Sequence, residues 1–225
     1  MLRQQSLLPL IVFCLLTRLG QPVIAQGVVG PSGVCKPASM RTQQAGCWIL
    51  ADDAIGQLTQ SVVFWTLDVY PTRARAEADK GPRGTVLESM GKVWLLNIEY
   101  RKSKPVHGSR AAEIGPLSVL AGEDYSVQYM EAIFNPGMTA PEHTHSGPEA
   151  WFTLAGETCL ETSDGRVQVG RAGGPPVIVP MGLSMHLTAT GTEQRRALVL
   201  ILHRTSQPVT TVDHSWVAKG LCNKR

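Results

Sequence analysis

The chain has 225 residues, 43% of them hydrophobic and 17% charged, with a formal net charge of +3. That composition belongs to a globular protein and excludes a disordered one, and the length suits one domain with a small appendage. The near-balance of charge, without any basic run carrying interleaved aromatics, argues against nucleic acid or an anionic membrane as partner and leaves a small molecule.

Residues 1–25 read as a secretory signal peptide. Arg3 supplies a positive start, Leu7 to Leu16 form an apolar run, and Val23 and Ala25 are the small residues before a cleavage site. The run is shorter than the roughly 20 apolar residues a membrane span needs. An uncleaved anchor is the alternative. Cleavage would take Arg3 and Arg18 from the 21 basic residues and none from the 18 acidic ones, so the remainder is nearly neutral. The expected location is secreted or periplasmic. Four cysteines remain: Cys35, Cys47, Cys159 and Cys222. An even count in an exported chain implies two disulfides. Three pairings are open. Cys35–Cys47 with Cys159–Cys222 is the expected one, because the second bond would tie down the C-terminal tail.

Residues 26–47 are rich in Gly, Pro, Ser and Gln and read as a leader arm. Residues 48–110 read as a β/α extension. Within it, 60–70 is β-branched and aromatic, as a strand should be. "PTRARAEADKGP" reads as a short helix stopped by Gly81 and Pro82, and Met90-Gly91 reads as the turn of a hairpin. From 111 to 205, short strands recur about every ten residues between Gly, Pro and Asp-Gly turns, the pattern of an antiparallel sandwich or barrel. Residues 206–225 are left as a tail. The fold class is mainly β.

The chemistry concentrates in "GMTAPEHTHSGPEAWFTLAG", Gly137 to Gly156. Side chains alternate along a strand, so His143 and His145 point the same way. Ser146-Gly147-Pro148 makes a turn, and Glu149, Trp151 and Thr153 share one face of the next strand, opposite Ala150, Phe152 and Leu154. Two neutral ring nitrogens and one carboxylate suit a borderline divalent metal. His186, after the turn at Pro180 and Gly182, is the candidate fourth ligand. Trp151, Met138 and Met181 are the candidate pocket walls, with Met185 also near the ligands. The Arg195-Arg196 pair is assigned to a solvated hairpin.

Gly137-x5-His143-x-His145-x3-Glu149-x6-Gly156 resembles the first motif of the cupin superfamily at every signature position. Gly174-x5-Pro180-x-Gly182-x3-His186 resembles the second, with one extra residue before the histidine and Thr190 where asparagine is frequent. The resemblance covers about 115–205 and extends to exported bacterial cupin-domain proteins with an N-terminal extension. It implies a single jelly-roll barrel holding one divalent transition metal (Fe, Mn, Cu, Ni or Zn) by His143, His145, Glu149 and His186. It also implies a metal-dependent oxidoreductase or isomerase, dioxygenase-like, acting on a small molecule that chelates the metal. Glu149 would double as proton acceptor. A non-catalytic binding or storage module is the alternative, because the fold alone does not choose. A homodimer is compatible with the resemblance, with the extension covering a sheet edge or meeting a second subunit.

Overall fold

Eight strands follow one another between residues 124 and 204, each closed by a turn residue. They are β7 (Asp124–Phe134), β8 (Thr139–His145), β9 (Glu149–Ala155), β10 (Glu157–Thr162), β11 (Val167–Arg171), β12 (Val177–Val179), β13 (Met185–Thr190) and β14 (Arg195–Arg204). They divide between two sheets, one carrying the order β7-β14-β9-β12 and the other β11-β10-β13-β8. Apart from the β10–β11 hairpin, successive strands thus cross from sheet to sheet, which is the order of a jelly roll. The computed structural model describes residues 35–42 and 44–224. The expected signal peptide lies outside the described residues.

Two further strands extend the first sheet beyond β7: β2 (Gly46–Gln57) and, beside it, β1 (Lys36–Pro37). A late strand, β15 (Thr210–Val212), extends the second sheet beyond β8. The expected leader arm therefore reaches into β2, and part of the expected tail is a strand of the barrel. Cys35 is joined to Cys47 and Cys159 to Cys222.

The N-terminal extension is more than a hairpin and a helix. β3 (Val62–Tyr70), β4 (Gly84–Ser89), β5 (Lys92–Glu99) and β6 (Ser109–Ser118) form a separate four-stranded sheet in the order β4-β5-β3-β6. Met90 and Gly91, both at positive φ, make the β4–β5 turn. A short helix, α1 (Arg73–Asp79), is capped by Thr72, whose hydroxyl accepts from the Arg75 N–H at 3.3 Å. β6 pairs with β3, not with the barrel, so the barrel strands begin at β7 and not at 111.

This sheet covers a face of the barrel, not an edge. Trp65, Leu67, Trp94, Leu96, Ile98 and Ile114 pack against Tyr125, Val127, Tyr129, Ala150, Leu198, Leu200 and Leu202. Trp65 stacks on Tyr129 with ring centroids 6.0 Å apart, and Trp94 meets Phe152 edge-on at 6.3 Å. The alternate residues of the same barrel strands face inward: Met130, Ala132 and Phe134 of β7, Trp151 of β9, and Val199 and Ile201 of β14. The shared sheet is thus buried on both faces. That is why β14 carries an unbroken apolar run from Ala197 to Leu202 and why β7 is buried along nearly its whole length.

Candidate metal centre

β8 and β9 belong to different sheets, and the Ser146-Gly147-Pro148 turn carries the chain from one to the other. A Cβ on Gly147 would stand 1.7 Å from the Leu202 carbonyl oxygen, so only glycine allows so close an approach. The turn folds Glu149 back toward the histidines. One donor atom from each of His143, His145 and Glu149 lies within 4.8 Å of the other two. All three side chains are buried, at 8%, 4% and 4% exposure. The imidazole centroids are 4.9 Å apart and the rings are nearly perpendicular.

The hydrogen bonds fix which nitrogen of each ring is free. His143 Nδ1 lies 2.6 Å from the Pro141 carbonyl oxygen, and His145 Nδ1 lies 2.7 Å from that of Val209. A carbonyl only accepts, so each Nδ1 carries the hydrogen and each Nε2 is left with a lone pair. Glu149 is held by Trp151, whose indole N–H donates to Oε1 at 2.7 Å. Its other oxygen, Oε2, lies 3.3 Å from His145 Nε2. Both atoms are buried and lack a hydrogen-bond partner among the described residues. Two lone pairs at that separation repel unless a cation lies between them. The three residues therefore fit a divalent metal, with the Nδ1 hydrogen bonds as outer-shell support.

The electrostatics agree. Burial, reinforced by the neighbouring His145, pushes the His143 imidazole below its ordinary value and keeps it neutral. Burial would raise the Glu149 carboxyl. Its contact with His145, the two neighbouring imidazoles and the Trp151 N–H outweigh that and hold it below the usual carboxylate range.

His186 does not join the group. On β13, Met185, Leu187 and Ala189 are buried in the barrel, while His186 and its alternate neighbours face the other side of the sheet. There His186 Nδ1 lies 3.7 Å from Glu142 Oε1. The inward place is taken by Met185, which stands opposite His143 in the register of β13 and β8. The cause is the extra residue after Gly182, because one step along a strand moves a side chain to the opposite face. Of the four expected ligands, three converge and His186 stands apart, so the candidate set is His143, His145 and Glu149.

The three candidate ligands line a cavity of about 280 Å3 inside the barrel, at the low end of small-molecule sites. Trp151 is one of its walls, as are Met130, Phe134, Leu187 and Val199. Met138 and Met181 are not. Met138 packs in the barrel core at the Gly137 turn, and Met181 is half-buried in the turn before β13.

One wall residue was missed by the sequence reading. Arg195, assigned to a solvated hairpin with Arg196, is 1% exposed and lines the same cavity. Arg196 is the exposed member of the pair. The signal was the phase of β14: Arg195 falls in step with Val199 and Ile201, which face inward.

The alternating strand order, with the two-histidine, one-glutamate motif at the β8–β9 turn and the second motif across β12–β13, decides the architecture. The barrel is a jelly roll, and its motif residues resemble those of the cupin superfamily. No family profile matches the sequence, and no curated protein does. The cupin barrel matches parts of several solved structures. The DMSP lyase DddQ from Ruegeria pomeroyi shares 24% identity over 39% of this chain and 43% of its own, with a TM-score of 0.34. An RmlC-like cupin family protein from Methanocaldococcus jannaschii shares 20% identity over 33% of this chain and 67% of its own, at 0.31. An oxalate oxidase shares 22% identity over 39% and 45%, at 0.32. This chain spans less than half the length of the first of these. Likeness at that level carries no activity from one cupin to another.

Proposed function

We propose that this cupin is an exported metal-dependent oxidoreductase acting on a small molecule that binds at the metal. The observation that carries the proposal is the tautomer lock. Two imidazoles, each tied at Nδ1 to a backbone carbonyl, stand beside an unprotonated glutamate, with His145 Nε2 3.3 Å from its Oε2. A divalent ion on two imidazoles and one carboxylate, a set that suits ferrous iron, supplies Lewis acidity and open positions for substrate and dioxygen.

The chain's own groups have separate tasks. His143 and His145 orient the ion. Trp151 holds Glu149 Oε1, leaving Oε2 free to bind or to take a proton. Met130, Phe134, Leu187 and Val199 keep bulk water from the ligand. Two disulfides support an oxidising compartment, and no helix among the described residues is long and apolar enough to cross a membrane. Secretion or periplasmic location follows from the expected signal peptide.

Met185 in the place of a fourth ligand favours a second reading, a binding module without turnover. Oxygen uptake separates the two. Protein loaded in turn with iron, manganese, copper, nickel and zinc is offered phenols, diketones and oxalate. Uptake with a redox-active ion, abolished in His145→Ala, is expected. No uptake with any ion would sink the oxidoreductase reading.

A further inference from the structure

We infer that Arg195 is an anion subsite and that the molecule taken by the barrel is a small carboxylic acid with an apolar body. The inference deepens the reading of this cavity as a ligand site and rests on it.

A guanidinium is always charged near neutral pH, and burying it without a counter-ion is strongly unfavourable. Arg195 is buried to that degree. Its guanidinium carbon lies 5.2 Å from the Trp151 ring and 5.5 Å from the Phe134 ring. Stacking on two faces recovers only part of that cost. Among the described residues the side chain forms no ion pair, and Nε and Nη2 are buried with no hydrogen-bond partner. Burial pushes the group down to about 10, partly offset by the charge of Glu149, so it remains a cation.

Glu149, the one acid lining the cavity, does not supply the missing partner. Its Oε1 is taken by the Trp151 N–H, and its Oε2 faces His145. With a metal bound, its charge is committed there. Trp151 thus touches Glu149 through its ring nitrogen and Arg195 through its ring face. A ligand lying along that indole would set an oxygen donor at the metal and a second group at the guanidinium.

The chemistry of that second group follows from the donors. A planar fork fixed between two rings matches a carboxylate, which accepts two parallel N–H bonds. The cavity has no lysine and no second arginine among its lining residues, so it suits a single negative charge and not a phosphate dianion. Phe134 flanks the guanidinium, and Met130, Leu187 and Val199 line the same cavity, which calls for an apolar body and not a sugar.

The test uses metal-free mature protein, which isolates the guanidinium from the metal. Calorimetric titration compares benzoate with benzamide and butyrate with butyramide, inorganic phosphate serving as a control. At least one acid is expected to bind ten-fold or more tightly than its amide, with phosphate not bound. Arg195→Met should bring the acid-to-amide ratio close to one, and Arg195→Lys should keep part of it. Thermal melting of Arg195→Met should be no lower than wild type, because an unpaired buried charge is replaced by an apolar side chain. The proposal is overturned if neither acid is preferred by the wild type, or if Arg195→Met keeps the preference. The wild-type comparison decides even if the variant does not fold. Manganese stoichiometry, measured separately on the same samples, reports on the metal reading alone, so the two ideas fail independently.

Discussion

At the scale of single residues, one position on β13 decides how many protein ligands the centre has. Met185 sits on the inner face opposite His143, and His186 sits on the outer face beside Glu142. Met185→His should therefore add an imidazole to the inner face. We predict that it raises manganese affinity about ten-fold or more in competition with a chelator, while His186→Ala leaves affinity unchanged. A Met185→His protein no tighter than wild type would mean that this face does not look onto the metal. The residues at this scale were legible to different degrees. His143, His145 and Glu149 could be placed from strand alternation and one turn. His186 was misplaced because motif matching tolerated an inserted residue where a strand does not. Arg195 was misread because it was paired with its neighbour Arg196 instead of being counted along β14.

At the scale of elements, the C-terminal segment completes the centre. β15 pairs with β8, placing Thr210 opposite His145, and the preceding Val209 carbonyl holds the His145 Nδ1–H. Farther on, the Lys219 and Leu221 N–H groups donate to the buried Glu161 carboxylate of β10, and Cys222 is bonded to Cys159 of the same strand. That bond closes 63 residues, for which chain entropy gives about 4 kcal/mol. The double variant Cys159→Ser, Cys222→Ser should lose thermal stability accordingly. It should also bind metal several-fold more weakly, because the tail that aims His145 is less firmly held. Unchanged metal affinity alongside reduced stability would show that Val209 is positioned without the bond. The barrel strands were readable from their turns and alternation. The partnership of β6 with β3 was not, because a strand's own residues do not state which distant strand it pairs with.

At the scale of the whole molecule, one sheet is shared between two cores. Its outer face packs on the N-terminal sheet through Trp65, Trp94 and their partners, and its inner face builds the cavity. The extension is therefore a structural wall behind β7, β9 and β14, which carry Met130, Glu149, Trp151 and Arg195. Composition predicted a globular chain and the turn spacing a β barrel, but nothing local distinguished an edge cover from a face cover. The arrangement makes the candidate centre a property of the complete fold: two histidines from one sheet, a glutamate from the other, and the Val209 carbonyl of the tail on the His145 ring.

That arrangement is tested most directly by counting metal. Wild type and His186→Ala, purified from the native compartment and analysed for elemental content, should each carry close to one divalent transition-metal ion per chain, and His145→Ala should carry less than about a tenth of that. A His145→Ala protein with full occupancy, or a His186→Ala protein that loses its ion, would contradict the assignment of His143, His145 and Glu149 as the metal centre.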